Sequence, residues 1–125
     1  MSKPFFCFLY LISLFSISCE KDKITNQSII GKWTWIKTFY GFTNYTETYK
    51  NRKYKLEIQF DDYYFYEYID NSLSQKQQYD LIVKKDGIMY ISYENGLEEI
   101  ISHSKDTLLL YNYQSEGSLS YYIRK

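Results

Sequence analysis

The chain has 125 residues, in which 15 Lys and Arg balance 15 Asp and Glu, so its formal net charge is zero. This balance argues against a nucleic-acid-binding protein, which needs a clustered basic excess, and the length supports one domain with a single modest core. Aromatic residues make up 21% of the chain, with 16 Tyr against one Pro, a composition that favours strands over helices.

The first eighteen residues have the pattern of a signal peptide. Lys3 gives a short basic start, and residues 5–15 form an apolar run without charge. The run is shorter than the roughly 18 residues that a membrane-spanning helix needs. We therefore predict a signal peptide over residues 1–18.

Ser16-Ile17-Ser18-Cys19 resembles the lipobox, at which bacterial lipoproteins receive a diacylglycerol thioether before cleavage in front of the cysteine. Cleavage there leaves Cys19 as the only cysteine, so no internal disulfide can form. The resemblance implies lipid on Cys19, with palmitate-type chains whose methylenes each contribute about 0.8 kcal/mol of membrane affinity. The alternative is an ordinary secretory leader that ends near Cys19.

Residues 19–28 are predicted to be a lipidated N-terminus followed by a polar tether that lifts the domain off the membrane. Cys19-Glu20-Lys21-Asp22 also resembles the first residues of Bacteroidetes lipoproteins, in which acidic and lysine residues behind the cysteine accompany export to the outer-membrane surface. The resemblance implies a lipid-anchored protein of the cell outer membrane, exposed at the surface.

Residues 29–125 are predicted to form one antiparallel β domain. The clearest strand covers residues 54–61, in which Tyr54, Leu56, Ile58 and Phe60 alternate with charged or amide side chains. The polar residues 72–78 are predicted as a loop or a single helical turn. Further strands are predicted at residues 32–40, 63–69, 78–84, 88–93, 97–102, 107–113 and 119–124, with a weaker one at 45–49.

Turn residues separate these strands. Asp86-Gly87 and Asn95-Gly96 are type I′ hairpin dipeptides, and residues 61–62, 70–72 and 116–118 are also turn-like. Because exposed strand edges promote aggregation, eight or nine hairpin-connected strands must close into a barrel or fold as a sandwich. We predict an all-β fold: a small antiparallel up-and-down β-barrel of about eight strands, with a β-sandwich as the alternative.

Gly31-Lys32-Trp33 opens the first predicted strand and Arg124 closes the last, a pattern that resembles the Gly-x-Trp start and late Arg of the lipocalins and the wider calycin group. The resemblance implies a lipocalin-like barrel in which the guanidinium of Arg124 lies on the Trp33 indole at the closed end, a contact worth about 0.5–2 kcal/mol. With its leader, the chain is similar to the lipocalin-like lipoproteins of Bacteroidetes.

Few residues suggest catalysis. His103 is the only histidine, and since a zinc site needs several His or Cys ligands, we expect no metal site and place His103 at the surface or a strand end. Neighbouring residues on a strand point to opposite faces, so Asp61-Asp62 and Glu98-Glu99 are interpreted as solvated turns or strand edges. The sequence has no phosphate loop, nucleophile elbow or nucleophile and base set. We expect a protein that is not an enzyme and has no cofactor.

Binding is the function that remains. An eight-stranded barrel can fill itself with side chains or hold one small ligand at its mouth. Trp33 and Trp35 share a strand face, and we expect them to pack in the core. The leading hypothesis is a membrane-anchored lipoprotein that binds a small apolar or amphipathic ligand, through residues that the sequence does not identify. The alternative is a cell-envelope interaction module with a solid core, which binds a protein or glycan through exposed Tyr.

Overall fold

The computed structural model describes residues 26–114 and 117–125. Cys19 and the predicted leader lie outside this part of the chain. No helix within it is long and apolar enough to cross a membrane. The described residues form two short helices and nine strands: α1 Asn26–Ile29, β1 Gly31–Tyr40, β2 Tyr45–Thr48, α2 Tyr49–Arg52, β3 Leu56–Phe60, β4 Tyr64–Ile69, β5 Ser72–Val83, β6 Met89–Tyr93, β7 Glu98–Ser104, β8 Thr107–Asn112 and β9 Ser118–Arg124.

These strands make a single antiparallel sheet in the order β2-β1-β3-β4-β5-β6-β7-β8-β9, and β1 also pairs with β9. The last pairing closes β1 and β3 to β9 into a barrel of eight strands within the described chain, and β2 adds a further strand beside β1. The closed barrel confirms the predicted fold class over the sandwich alternative. It is compatible with a lipocalin-like fold.

Closure depends on β1. One edge of this strand pairs with β9 over residues 33–40, while the first half of its other edge pairs with β3 and the second half with β2. A bulge shifts the register against β9 between Trp35 and Lys37. A bulge inserts one extra residue and so exchanges the inner and outer faces beyond it. As a result Thr38 is buried and Lys37 is exposed.

The turns at Asp86-Gly87 and Asn95-Gly96 differ in turn type from the prediction. At Asn95-Gly96 only the glycine has a positive φ, +93°, and its amide donates to the carbonyl of Tyr93 at 2.9 Å. This is the form of a type I turn followed by a left-handed glycine, and the Asp86-Gly87 turn has the same form. The type I′ prediction for both dipeptides is wrong. Two consecutive positive φ values, as type I′ requires, occur at Asp70 and Asn71 of the described chain.

Residues 72–78 do not form the predicted loop or helical turn, because they belong to the long strand β5. They pair with β4, from Ile69 opposite Ser72 to Tyr64 opposite Gln78. The segment lacks apolar alternation since its inward side chains, Gln75 and Gln77, line a polar part of the interior. The prediction rested on the polarity of residues 72–78, and this polarity is compatible with a strand because the cavity lining is itself partly polar.

The core fills the interior around both tryptophans. Trp33 and Trp35 are buried on one face of β1, as expected. The indole Nε1 of Trp35 donates to Thr38 Oγ1 at 2.8 Å, and Thr38 Oγ1 lies 2.8 Å from Ser120 Oγ, so the polar atoms near this ring are paired. The cluster also contains Ile29, Leu56, Ile58, Phe60, Phe65, Tyr79, Ile91, Tyr93, Ile101, Leu108, Leu110 and Tyr122.

We call the end where β1 begins and β9 ends the closed end. Ile29 of α1 is fully buried there, and its carbonyl accepts a hydrogen bond from Trp33 Nε1 at 2.9 Å. The guanidinium carbon of Arg124 lies 4.2 Å from the centre of the Trp33 ring. Its Nη1 donates to the Ile30 carbonyl at 3.1 Å and its Nη2 to the Ser28 carbonyl at 2.8 Å. This Trp33–Arg124 clamp joins the first strand, the last strand and α1.

Two further residues complete the closed end. Gly31 has a φ of +126°, and a Cβ at this position would meet Arg124 Nη1 at 3.2 Å, so the clamp needs glycine here. His103, near the end of β7, lies perpendicular to the Trp33 ring with 5.7 Å between ring centres. Its Nε2 is buried without a hydrogen-bond partner among the described residues. The strand-end position predicted for His103 is confirmed, and its side chain is half-buried against Trp33.

Candidate functional site

A cavity of about 220 Å³ lies at the opposite end of the barrel, which we call the open end. The turns after β4 and β6 lie at this end. Half of the cavity lining is polar and half is apolar or aromatic. The polar residues are Glu67, Gln75, Gln77, Asn95 and Glu99, and the others are Phe65, Tyr93, Leu97, Leu110 and Tyr122.

Strand alternation places these side chains in the cavity. Residues two apart on a strand share a face, so Phe65 and Glu67 both point inward from β4, and Gln75 and Gln77 do so from β5. Glu99 points inward from β7, two residues before the buried Ile101. The cavity is therefore built from six strands, each contributing one or two side chains from a rigid sheet.

A chain of hydrogen bonds orders the amide side of the cavity. The backbone amide of Asn95 donates to Gln77 Oε1 at 3.2 Å, and Gln77 Nε2 donates to Gln75 Oε1 at 2.7 Å. Gln75 Nε2 in turn donates to Glu67 Oε1 at 3.3 Å. Each amide oxygen thus has a donor already, and the chain ends on a carboxylate.

Glu99 stands in a different environment. The Tyr93 hydroxyl donates a hydrogen bond to Glu99 Oε1 at 2.7 Å. Burial raises the pKa of Glu99 above its ordinary value of 4.5, the hydrogen bond from Tyr93 acts in the opposite direction, and the negative charge of Glu67 raises this pKa further. The two glutamates therefore interact electrostatically across the cavity.

Glu98 and Glu99 confirm that neighbouring strand residues face opposite sides, but their shared interpretation as a solvated strand edge is wrong for Glu99. Glu98 points outward, where its Oε1 lies 2.7 Å from Lys84 Nζ and accepts a hydrogen bond from the Tyr113 hydroxyl at 3.1 Å. Glu99 lines the cavity. The two neighbouring glutamates therefore differ: Glu98 forms an ion pair on the outer face, and Glu99 places a carboxylate in the cavity.

Arg52 fills the gap between β2 and β3, close to the open end. Helix α2 positions its guanidinium 4.4 Å from the centre of the Trp35 ring. Glu47 accepts a hydrogen bond from Arg52 Nε at 2.5 Å, and Tyr40 accepts one from Nη2 at 3.3 Å. Burial opposes its charge, but these hydrogen bonds hold the pKa of Arg52 above the ordinary value. The positive charge of Arg52 is thus neutralised by Glu47.

The residues singled out from the sequence lie elsewhere. Gly31, Trp33 and Arg124 are at the closed end with His103, and Cys19 lies outside the described residues. Sequence reasoning missed Glu67 and Glu99 as site residues. A signal for them exists, because each glutamate stands between apolar residues two positions away on its strand, Phe65 and Ile69 for Glu67 and Leu97 and Ile101 for Glu99.

Within residues 26–114 and 117–125, no three His, Cys, Asp or Glu side chains come together in a group that could hold a metal ion.

Comparisons of the chain with protein-family models, with curated proteins and with solved structures find no match. The argument for function therefore stands on the cavity and the sequence.

Proposed function

We propose that this protein is a membrane-anchored lipoprotein, without catalytic activity, whose barrel binds one small amphipathic ligand in the open-end cavity. The observation that carries the proposal is the cavity itself, since a barrel of this size can instead fill completely with side chains. The notable feature is that large aromatic residues fill the closed half, while the open half keeps about 220 Å³ of space.

The lining favours an amphipathic ligand over a purely apolar one. Two carboxylates and three amides line the cavity together with Phe65, Tyr93 and Tyr122, and an apolar molecule would exclude water from the two carboxylates without replacing it. Pockets for drug-sized ligands measure roughly 300–1,000 Å³. The smaller cavity here suits a compact molecule, or one end of a longer molecule.

The proposed anchor and the cavity are compatible in geometry. The described chain begins at Asn26 in α1, which lies at the closed end. A lipid on Cys19 would therefore hold the closed end toward the membrane and direct the cavity away from it. This orientation fits a lipoprotein of the cell outer membrane whose ligand arrives from the surrounding solution.

Native mass spectrometry tests the binding proposal. The full protein is extracted in mild detergent from its own host and sprayed under non-denaturing conditions. We expect a complex with a small molecule that is lost when Leu110, at the cavity wall, is replaced by Trp. A protein that is consistently free of small molecules, in every growth condition tested, contradicts ligand binding.

Membrane fractionation tests the anchor separately. Cys19→Ala is expected to release the protein from the membrane fraction because it removes the acceptor of the lipid. Cys7→Ala, a change within the predicted leader, is the matched control and leaves the distribution unchanged. Retention of the Cys19→Ala protein in the membrane fraction contradicts lipid anchoring.

A row of tyrosines on the outer face of β4 favours the second candidate function, an envelope module that binds a protein or glycan. Tyr64, Tyr66 and Tyr68 follow one another at 6.3 and 6.4 Å between ring centres. Lys76 Nζ lies 4.3 Å from the centre of the Tyr64 ring, and Asp61 accepts a hydrogen bond from the Tyr66 hydroxyl. These rings are already engaged by the chain's own residues, so we place this candidate second.

A further inference from the structure

The open-end cavity has an uncompensated negative charge. Glu67 and Glu99 both line it, and none of the ion pairs formed between described residues includes either one. Because like charges in one cavity disfavour each other, a counter-charge placed between the two carboxylates would stabilise their ionised forms. None of the described residues that line the cavity is a Lys, Arg or His that could supply this charge.

The residues that face the two glutamates are neutral. Gln75 and Gln77 come from β5, Tyr93 from β6 and Tyr122 from β9. Lys76, between the two glutamines, points outward over the Tyr64 ring. The charge of Arg52 acts on Tyr122, but Arg52 is hydrogen bonded to Glu47.

The remaining lining suits an organic cation better than a metal ion. A calcium ion takes six to eight oxygen ligands, yet Gln77 Oε1 already accepts from the Asn95 amide and Gln75 Oε1 from Gln77. Phe65 and Tyr93 pack edge to face, with 5.2 Å between ring centres. Aromatic rings stabilise organic cations through the negative charge of their faces, and they also contact an apolar body.

We propose that the open-end cavity binds a compact primary amine, with its ammonium group between Glu67 and Glu99 and its apolar body against the aromatic wall. The inference rests on the proposed function, since it names the class of ligand for the same cavity. The ammonium donates hydrogen bonds to both carboxylates. An uncharged molecule of the same shape leaves the two negative charges unpaired.

Isothermal titration calorimetry of the full protein in detergent tests this inference with phenethylamine and its uncharged counterpart, 2-phenylethanol. We expect the amine to bind about tenfold to a hundredfold more tightly than the alcohol, because hydrogen bonds to charged groups are the strong ones. Glu67→Gln and Glu99→Gln are each expected to weaken amine binding by a similar factor. Both variants keep the shape of the side chain and remove its charge.

Glu98→Gln is the matched control, since Glu98 is the outward neighbour of Glu99 and pairs with Lys84. It is expected to bind phenethylamine as the unchanged protein does. Thermal unfolding of all three variants, followed by circular dichroism, verifies that each remains folded. Lost amine binding in a folded Glu99→Gln protein then reports on the cavity charge.

The following results overturn the inference. The first is equal binding of amine and alcohol, the second is amine binding that both glutamine variants retain, and the third is no amine binding by the unchanged protein. Calcium chloride is titrated in parallel, and calcium binding that depends on Glu67 and Glu99 in the absence of amine binding also overturns it. A neutral molecule found by native mass spectrometry in the cavity removes the amine class but leaves the proposed function standing, whereas an empty protein removes both.

Discussion

Replacement of Arg124 by Met tests how much the Trp33–Arg124 clamp stabilises the barrel. Met keeps an unbranched apolar chain over the indole but removes the charge and the donors. The guanidinium makes three close contacts, with the Trp33 ring at 4.2 Å, the Ile30 carbonyl and the Ser28 carbonyl, besides a longer pair with Asp106. All three connect elements that are distant in sequence, so their loss affects closure itself.

The magnitude follows from these contacts. A cation over an indole contributes about 0.5–2 kcal/mol, and a hydrogen bond from a charged donor about 1.5–3 kcal/mol when it is buried. The Arg124 side chain is 32% exposed, so water can replace part of both hydrogen bonds. The pair with Asp106, 4.0 Å away on an 82% exposed side chain, adds little. We expect Arg124→Met to lower the free energy of unfolding by about 3 kcal/mol, or Tm by roughly 12–24 °C.

Urea unfolding followed by far-ultraviolet circular dichroism measures this loss, with Lys76→Met as control. Lys76 also lies over an aromatic ring, 4.3 Å from Tyr64, but on the outer face. Its replacement should cost less than about 0.5 kcal/mol. Equal effects of the two substitutions would refute the argument that the clamp, rather than cation and ring contact in general, stabilises the closed barrel.

Three further changes test the two ends of the barrel. Gly31→Ala should cost about 1–3 kcal/mol in urea unfolding, because a φ of +126° is strained for alanine and the new Cβ meets Arg124. Thr38→Val should cost about 2 kcal/mol in the same assay, because the buried indole N–H of Trp35 loses its acceptor. Glu99→Gln should instead raise Tm at pH 7. Burial raises the pKa of Glu99, so the folded state is penalised whenever this carboxylate is ionised. The gain should therefore vanish as the pH falls below the ordinary pKa of 4.5.

Each of these three expectations has a contrary result. A Gly31→Ala protein as stable as the unchanged chain shows that the clamp tolerates a side chain at this position. An unaltered Thr38→Val protein shows that Ser120, already 2.8 Å from Thr38, takes over as acceptor. A Glu99→Gln protein that melts lower at pH 7 shows that Glu99 supports the fold through its hydrogen bond with Tyr93, contrary to a binding role.

Most of the fold could be predicted from local sequence features. Alternation at residues 54–61 marks β3, and glycine turn dipeptides separate the later strands, because strand period and turn chemistry are properties of a few adjacent residues. The exceptions are informative. β5 was missed over residues 72–78 because its pairing with β4, and not its own pattern, makes it a strand. The turn type at Asn95-Gly96 depends on how the flanking strands cross.

The candidate site was harder to predict because it depends on which strands face one another. Glu67 and Glu99 are 32 positions apart in sequence. Their strands surround one cavity only because the sheet closes into a barrel. Alternation does place each glutamate on an inward face between apolar residues. It gives no information on whether that face is packed or open. The bulge after Trp35, which brings Thr38 inward, is likewise a consequence of pairing with β9.

The two ends of the barrel differ in what their charged residues do for stability. At the closed end the Arg124 charge contacts a ring and two carbonyls, and we expect its removal to destabilise the protein. At the open end Glu99 carries a charge that burial disfavours, and Glu67 adds a second negative charge to the same cavity. A glutamine at either position would fill the same space without this penalty. The penalty has a physical explanation if a cationic ligand offsets it, because binding then stabilises the folded protein by an amount that rises with the logarithm of the ligand concentration above Kd. On this argument phenethylamine should raise the Tm of the unchanged protein, and Glu99→Gln should raise Tm in its absence while reducing the response to it.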